Sequence, residues 1–191
     1  MSIAGKPFEL DRSLFEQIKF ISPNLYELRK IADTLKVSPD MKSDLKVEDI
    51  KTEAEKLKIF REIVQLCSEL HHIDNIVVTT GVFGVFVQRS RDSASAFFTQ
   101  DLAYIEGKNG VKTIRHYPGQ PIHNVVNASG AGDAFCSGFI TGMLNKKPES
   151  ICVSVGFQAA MTTLMSKQAV PKKFFDAGHE CWNNSAEFKE F

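Results

Sequence analysis

The tightest constraint on this chain is a run of small residues, Ala128-Ser129-Gly130-Ala131-Gly132, lying between the apolar pair Val125-Val126 and a helical stretch that begins at Asp133. Phe135, Phe139 and Met143 recur at i, i+4 and i+8, so this helix has one buried face. A strand over Asn124–Asn127 that feeds a helix through so short a turn is an α/β element. The first N–H groups of a helix have no partner on its own backbone, and the aligned peptide dipoles add partial positive charge there. Gly130 and Gly132 carry no side chain and Ala131 only a methyl, so an anion can reach those amides. Asp133 stands in the first turn, where the dipole favours a carboxylate that can accept the proton of an attacking alcohol. Phosphoryl transfer needs charge neutralisation and a positioned base, and one segment offers both. A glycine-rich turn whose aspartate only stabilises a helix start is the plainer alternative for a bare Gly-x-Gly-Asp.

The rest of the chain alternates helices with short β-branched strands. A short helix is expected over Leu14–Phe20, a second over Asn24–Val37, and a loop over Ser38–Lys46. A long amphipathic helix follows over Val47–His72, with Ile50, Ala54, Leu57, Phe60, Ile63, Val64, Cys67 and Leu70 as its apolar stripe. Its outer face pairs Glu53 with Lys56 and Glu55 with Lys58. Ile76–Thr79 and Val85–Val87 read as strands of a hairpin, with Gly81 and Gly84 in its turn. Phe97-Phe98, Tyr104-Ile105 and Val111–His116 are further short strand candidates, punctuated by Gly107, Asn109 and Gly110. A helix over Pro148–Met165 precedes a tail of short helix or coil, where Trp182, Phe188 and Phe191 serve packing. The class is α/β with a mainly parallel sheet.

A chain of 191 residues fits one core or part of a larger domain. Lys+Arg and Asp+Glu both number 23, so no net field draws in nucleic acid or an anionic membrane surface. No apolar run reaches the length of a membrane span, and the first residues lack a signal-peptide pattern. Cys67, Cys136, Cys152 and Cys181 never form C-x-x-C, which argues against a zinc site and for reduced thiols in the cytoplasm. His71, His72, His116, His123 and His179 have no metal-ligand spacing and suit surface or helix-end positions.

The segment Asn127 to Phe135, NASGAGDAF, closely resembles the second signature of the ribokinase-like (PfkB) carbohydrate and nucleoside kinases, D-T-x-G-A-G-D-x-F. Two weaker elements fall in the family's order. Pro23-Asn24-Leu25-Tyr26-Glu27 looks like P-N-x-x-E, and Val77 to Gly84 looks like the V-V-T-x-G-x-x-G strand and turn. The resemblance covers about residues 20 to 170 and implies a three-layer ribokinase-like (Rossmann-like) fold using ATP and Mg2+. It casts Asp133 as the catalytic base and Gly130, Ala131 and Gly132 as the anion hole. Asn24 and Glu27 would support the magnesium nucleotide, Glu27 through water, because magnesium keeps part of its hydration shell. Thr79, Gly81 and Gly84 would line the nucleotide. Taken alone, Asn24 and Glu27 also read as a turn asparagine and a surface carboxylate, and Thr79 as an ordinary strand residue.

Within the family the wording is most similar to pseudouridine kinases, in His116-Tyr117-Pro118 to Val125-Val126-Asn127, Ala159 to Leu164 and Ser166 to Val170. That implies transfer from ATP to the 5′-hydroxyl of pseudouridine; ribose and fructose are the alternatives. Asn127 stands where most members have an aspartate beside a monovalent cation, so potassium activation is in doubt. Family kinases run to about 300 residues, and nothing before Ile21 resembles their first strands, Gly-Gly signature or β lid. Residues 1–20 therefore read as a leader, 172–191 as a tail, and the whole as a partial kinase domain. Such a chain is expected to need the other half or to self-associate along an open sheet edge, and to turn over little substrate by itself. A non-catalytic nucleotide-binding or interaction module on the same fold is the competing reading. A Rossmann dehydrogenase is disfavoured, since the third glycine of G-x-G-x-x-G is lacking, as is the P-loop lysine.

Overall fold

The computed structural model describes residues 17–37, 44–107 and 112–191. The first part of the expected Leu14–Phe20 helix, most of the Ser38–Lys46 loop and the turn at Asn109-Gly110 lie outside them. In chain order the elements are β1 (Phe20–Ile21), α1 (Leu25–Thr34), α2 (Glu53–Glu69), β2 (Asn75–Thr79), β3 (Val85–Arg89), β4 (Thr113–Tyr117), α3 (Ala131–Leu144), α4 (Glu149–Leu164) and β5 (Lys189–Glu190). Short 3-10 turns cover Val47–Asp49, Gly81–Phe83 and Glu180–Trp182.

The sheet runs β1-β2-β3-β4-β5. Among the described strands, β1 and β2 pair in parallel and the other three pairings are antiparallel. The expected mainly parallel sheet is thus corrected to a mixed one. A parallel pair needs a long crossover, which the stretch holding α1 and α2 supplies between β1 and β2. The Gly81–Phe83 turn between β2 and β3 is far too short for that, and forces antiparallel pairing.

Successive strand residues face opposite layers. Ile76, Val78, Phe86 and Ile114 join Leu25, Leu28, Ile59, Phe60, Ile63 and Leu66 on the α1/α2 side. Val77, Val85, Val87 and Tyr117 join Phe135, Phe139, Met143, Cys152 and Val153 on the α3/α4 side. The three-layer α/β/α arrangement follows from a sheet apolar on both faces. Gly138 lets α3 and α4 approach closely, since a Cβ there would lie 2.8 Å from the Val155 carbonyl oxygen.

Several local expectations change. Phe20 belongs to β1, where Phe20 and Ile21 pair with Asn75 and Ile76, and is not the end of a helix. The long helix begins only at Glu53, because Thr52 and Glu55 form a capping box. Glu55 is therefore engaged with Thr52 and not with Lys58, whereas Glu53 does meet Lys56, at 3.4 Å. Leu57 faces outward, while Ile59 and Leu66 are buried. Asn124–Asn127 is not a strand. The N–H groups of Val126 and Asn127 both donate to the Leu164 carbonyl at the end of α4, at 2.8 and 3.2 Å, so they do not join a ladder. The tail carries β5, which pairs with β4 and seats Phe188 on Tyr117 and Phe191 on Phe86. His116 is buried and not a surface residue.

Among the described residues, one buried ion pair joins the two helices of one layer and another group joins a helix to the sheet. Arg29 of α1 clasps Glu62 of α2 with two bonds of 2.7 and 2.8 Å. On the other face Glu149, fully buried, accepts from the Tyr117 hydroxyl at 2.8 Å and lies 3.4 Å from Arg115 and 3.8 Å from Arg89. Burial pushes the Glu149 carboxyl up, and the two guanidiniums and the phenol oppose that push. Removing one member of such a group leaves uncompensated charge in the core. Glu149→Gln is expected to destabilise the chain by about 3 kcal/mol or more in urea unfolding. Glu53→Gln, which breaks the exposed pair, is expected to change stability by less than about 0.5 kcal/mol.

Burial also pushes the His116 imidazole below its ordinary 6.5, with Lys56 and Lys189 adding to the same direction. The unfolded chain then binds more protons than the fold as pH drops through 6.5, so stability is present above that window and lost on acidification. Unfolding measured from about pH 7 to about pH 5 is expected to show a shallower pH dependence in His116→Phe than in the natural chain.

Candidate active site

The helix expected from Asp133 is present and begins two residues earlier, at Ala131. Gly130 is the N-cap of α3, with φ of 79°, the left-handed region that favours glycine. A side chain there would also strike the Ala169 carbonyl oxygen at 2.5 Å. The stretch after α4 is therefore the floor on which the turn rests. Ala134 N–H donates to Gly130 at 2.8 Å as the first bond of the helix, so the amides of Gly132 and Asp133 precede it and lack intrahelical partners. A Cβ on Gly132 would meet nothing within 4 Å. The space beside Gly132 is open, and Gly132 and Asp133 are both exposed.

Asp133 is exposed at the third helical position. Among the described residues no hydrogen bond or ion pair engages its carboxylate. Asn127 bonds back to the Ser129 amide at 2.9 Å, which shapes the approach to the turn and commits the side-chain oxygen locally. Ala131, half-buried, opens α3.

The second group of candidates lies where α1 begins beside the end of β2. Asn24 caps α1 and forms a reciprocal box with Glu27: each side chain accepts from the other's backbone N–H at 2.9 Å. Both residues are exposed, and the plainer sequence reading, a turn asparagine with a surface carboxylate, describes their contacts. Thr79 donates its N–H to Pro23 at 3.0 Å and bridges to Asn24, so the end of β2 and the start of α1 are one unit. Gly81 and Gly84 both have positive φ, 56° and 93°. The turn between them is closed by Thr80, whose N–H and hydroxyl both reach the Gly84 carbonyl, at 2.9 and 2.8 Å. A Cβ on Gly84 would collide with the Tyr117 carbonyl, so this turn packs on the end of β4.

Among the described residues no hydrogen bond or ion pair joins the two groups. They share the core instead, where Val77 of β2 packs in one cluster with Phe135 and Phe139 of α3. Sequence reasoning missed Thr80 and His116, which hold the turn at 81–84. His116 falls on the same face as Ile114 and Phe86 in the strand register, and that alternation was the available signal.

The residues present fit a magnesium nucleotide. The orphan amides beside the open Gly132 suit phosphate oxygens. Among the described residues no group of three or more His, Cys, Asp or Glu could hold a metal ion. Magnesium does not require such a cage, since it keeps waters and uses one or two carboxylates together with substrate phosphates. Glu27 has one carboxylate oxygen outside the capping box. No helix among the described residues is long and apolar enough to cross a membrane.

Comparison with solved structures finds the same fold. Ribokinase of Arabidopsis thaliana, solved with ribose and ATP, aligns with a TM-score of 0.54 and 21% identity over 88% of this chain and 43% of its own. Adenosine kinase from Schistosoma mansoni, in complex with 2-fluoroadenosine, gives 0.54 and 13%, covering 84% and 38%. Ribokinase from Thermotoga maritima gives 0.50 and 17%, covering 86% and 42%. The chain thus spans less than half the length of each. Comparison with curated proteins gives no significant match. The model of the pfkB family carbohydrate kinases matches residues 4–173, most of the chain. On that match, with the GAGD helix start and the ribokinase-like fold in place, the chain belongs to the pfkB family of carbohydrate kinases.

Proposed function

We propose that this chain is the nucleotide- and phosphoryl-handling part of an ATP-dependent kinase that phosphorylates a hydroxyl of a sugar or nucleoside, with the 5′-hydroxyl of pseudouridine as the first substrate to test. The observation that carries the reading is the pairing of an open helix start at Gly132 with an exposed, unengaged Asp133 carboxylate one residue on.

Bound ATP would supply the phosphoryl group, and magnesium would offset its charge. The chain's own residues do the rest. Gly130 and Gly132 keep the amides at the start of α3 clear, so the helix start can bind developing negative charge. Asp133 accepts the proton of the substrate hydroxyl at its carboxylate oxygen. Thr79, Gly81 and Gly84 would present backbone along the nucleotide, and the Glu27 oxygen left outside the capping box would meet the magnesium hydration sphere, with Asn24 fixing it through the cap of α1. Asn127, with its oxygen turned to the Ser129 amide, makes potassium activation a weak expectation.

Sugar contacts and water exclusion are assigned to a further segment of the kinase fold, so the 191-residue chain by itself is proposed to be inactive. β1 is an edge strand of the sheet, and we assign to it the docking of that segment or of a second copy. Free, buried thiols at Cys67 and Cys152 suit a reducing compartment, and we place the protein in the cytoplasm.

Thermal unfolding with MgATP tests the first half of the reading. The midpoint is expected to rise, with about 2.7 kcal/mol of stabilisation at a hundredfold excess over Kd; an unmoved midpoint counts against nucleotide binding. Joined to an N-terminal half of the family fold, the chain is expected to phosphorylate pseudouridine, and Asp133→Asn to reduce kcat on the order of several hundred-fold. Unchanged turnover in Asp133→Asn removes the assigned role. Nucleotide binding without any phosphate transfer by the completed chain favours the non-catalytic module.

A further inference from the structure

Among the buried polar side chains that the kinase reading does not use is the imidazole of His116. His116 lies on the α1/α2 face of β4, its ring stacked on Phe86 at 4.5 Å and tilted against Phe60 at 4.6 Å. Its Nε2 lies 2.6 Å from the carbonyl oxygen of Phe83. A carbonyl can only accept, so Nε2 carries the hydrogen and donates it. Phe83 is the last residue of the Gly81–Phe83 turn, and the imidazole therefore reaches from the sheet core to the segment between Gly81 and Gly84.

The same turn is braced from two other directions. Thr80 closes it onto the Gly84 carbonyl, and Gly84 rests against the Tyr117 carbonyl, next along β4 from His116. Without the imidazole bond the Phe83 backbone keeps, among the described residues, its N–H link to Thr80, while its ring still meets Phe60 and Lys56. The imidazole is itself walled in by the tail: Phe191, whose N–H donates to Ile114 at 2.9 Å, places its ring 6.3 Å from that of His116. This tail lies beyond residues 4–173, the part that matches the family model. A histidine rather than a phenylalanine in an aromatic stack is explained by the one thing the imidazole adds, a donor aimed at the turn.

We infer that His116 is a positioning residue: held by Phe86, Phe60 and Phe191, it fixes the Phe83 carbonyl and with it the turn that presents Gly81 and Gly84 to the nucleotide. The inference rests on the nucleotide-binding reading for its functional consequence, but not for its structural one. His116→Phe keeps the stack and deletes the donor. His116→Gln loses the ring but can return an N–H to the place of Nε2. Should His116→Phe fail to fold, His116→Met takes its place.

Hydrogen exchange on the 191-residue chain reads the turn directly. In His116→Phe the amides of Phe83 and Gly84 are expected to exchange about five- to tenfold faster, the size of one lost hydrogen bond, with the core amides of Val77 and Leu66 unchanged. His116→Gln is expected to restore protection. Equal protection of Phe83 and Gly84 in His116→Phe overturns the inference, as does uniform acceleration across the chain, which would mark a purely structural role. Calorimetric titration with MgATP gives the second readout: affinity is expected to fall about five- to tenfold in His116→Phe and to recover in His116→Gln. If the natural chain binds no MgATP while the exchange difference persists, the nucleotide reading fails and the positioning role stands. If MgATP binds equally to the natural chain and His116→Phe, the functional part of the inference is refuted.

Discussion

Everything at the candidate site depends on one steric constraint, the left-handed backbone of Gly130 pressed against the Ala169 carbonyl. Any side chain there would strain the backbone and push the turn off its floor. With glycine in place α3 starts at Ala131, and the unpaired amides of Gly132 and Asp133 belong to exposed residues. The carboxylate then sits beside the amides because they are neighbours in sequence, not because a distant element delivers it. The proposed anion site and its proposed base thereby share one backbone geometry.

That geometry would be mobile if nothing behind it were rigid. The Val126 and Asn127 amides both end on the Leu164 carbonyl, which binds the approach to the turn to the end of α4. Behind α4, Glu149 at its first position takes the Tyr117 hydroxyl and balances Arg115 and Arg89 in the core. One end of α4 is thus anchored to the sheet by charge, and the other supports the helix start by hydrogen bonds. Charged groups so deep are costly to desolvate, and they are tolerated because the guanidiniums also find backbone carbonyls: Arg89 those of Ser95 and Ala96, Arg115 that of Arg91.

The two halves of the site are organised by different physics. The Gly130–Asp133 half is local, and no described side chain from elsewhere completes it. The Asn24–Gly84 half is a meeting of three segments: the cap of α1, the end of β2, and a turn braced from β4 by Tyr117 and His116. Asn24 and Glu27 satisfy each other in the capping box, so any work on a magnesium ion falls to the one Glu27 oxygen left outside it.

What could be read from the sequence by itself was whatever short range decides. The GAGD helix start, the helices around Leu25–Thr34 and Glu149–Leu164, the β2–β3 hairpin and the core positions Phe135, Phe139 and Met143 all follow from spacing, glycine placement and hydrophobic period. The tertiary structure decided what depends on partners remote in the chain. Phe20 is a strand residue only because Asn75 and Ile76 lie beside it, and the tail pairs as β5 only because β4 offers an edge. Asn124–Asn127 fails as a strand because a helix end takes its amides first. Sheet direction, the burial of His116 and the Glu149 charge cluster depend on packing across layers, and a linear pattern carries no record of which strand will lie next to which.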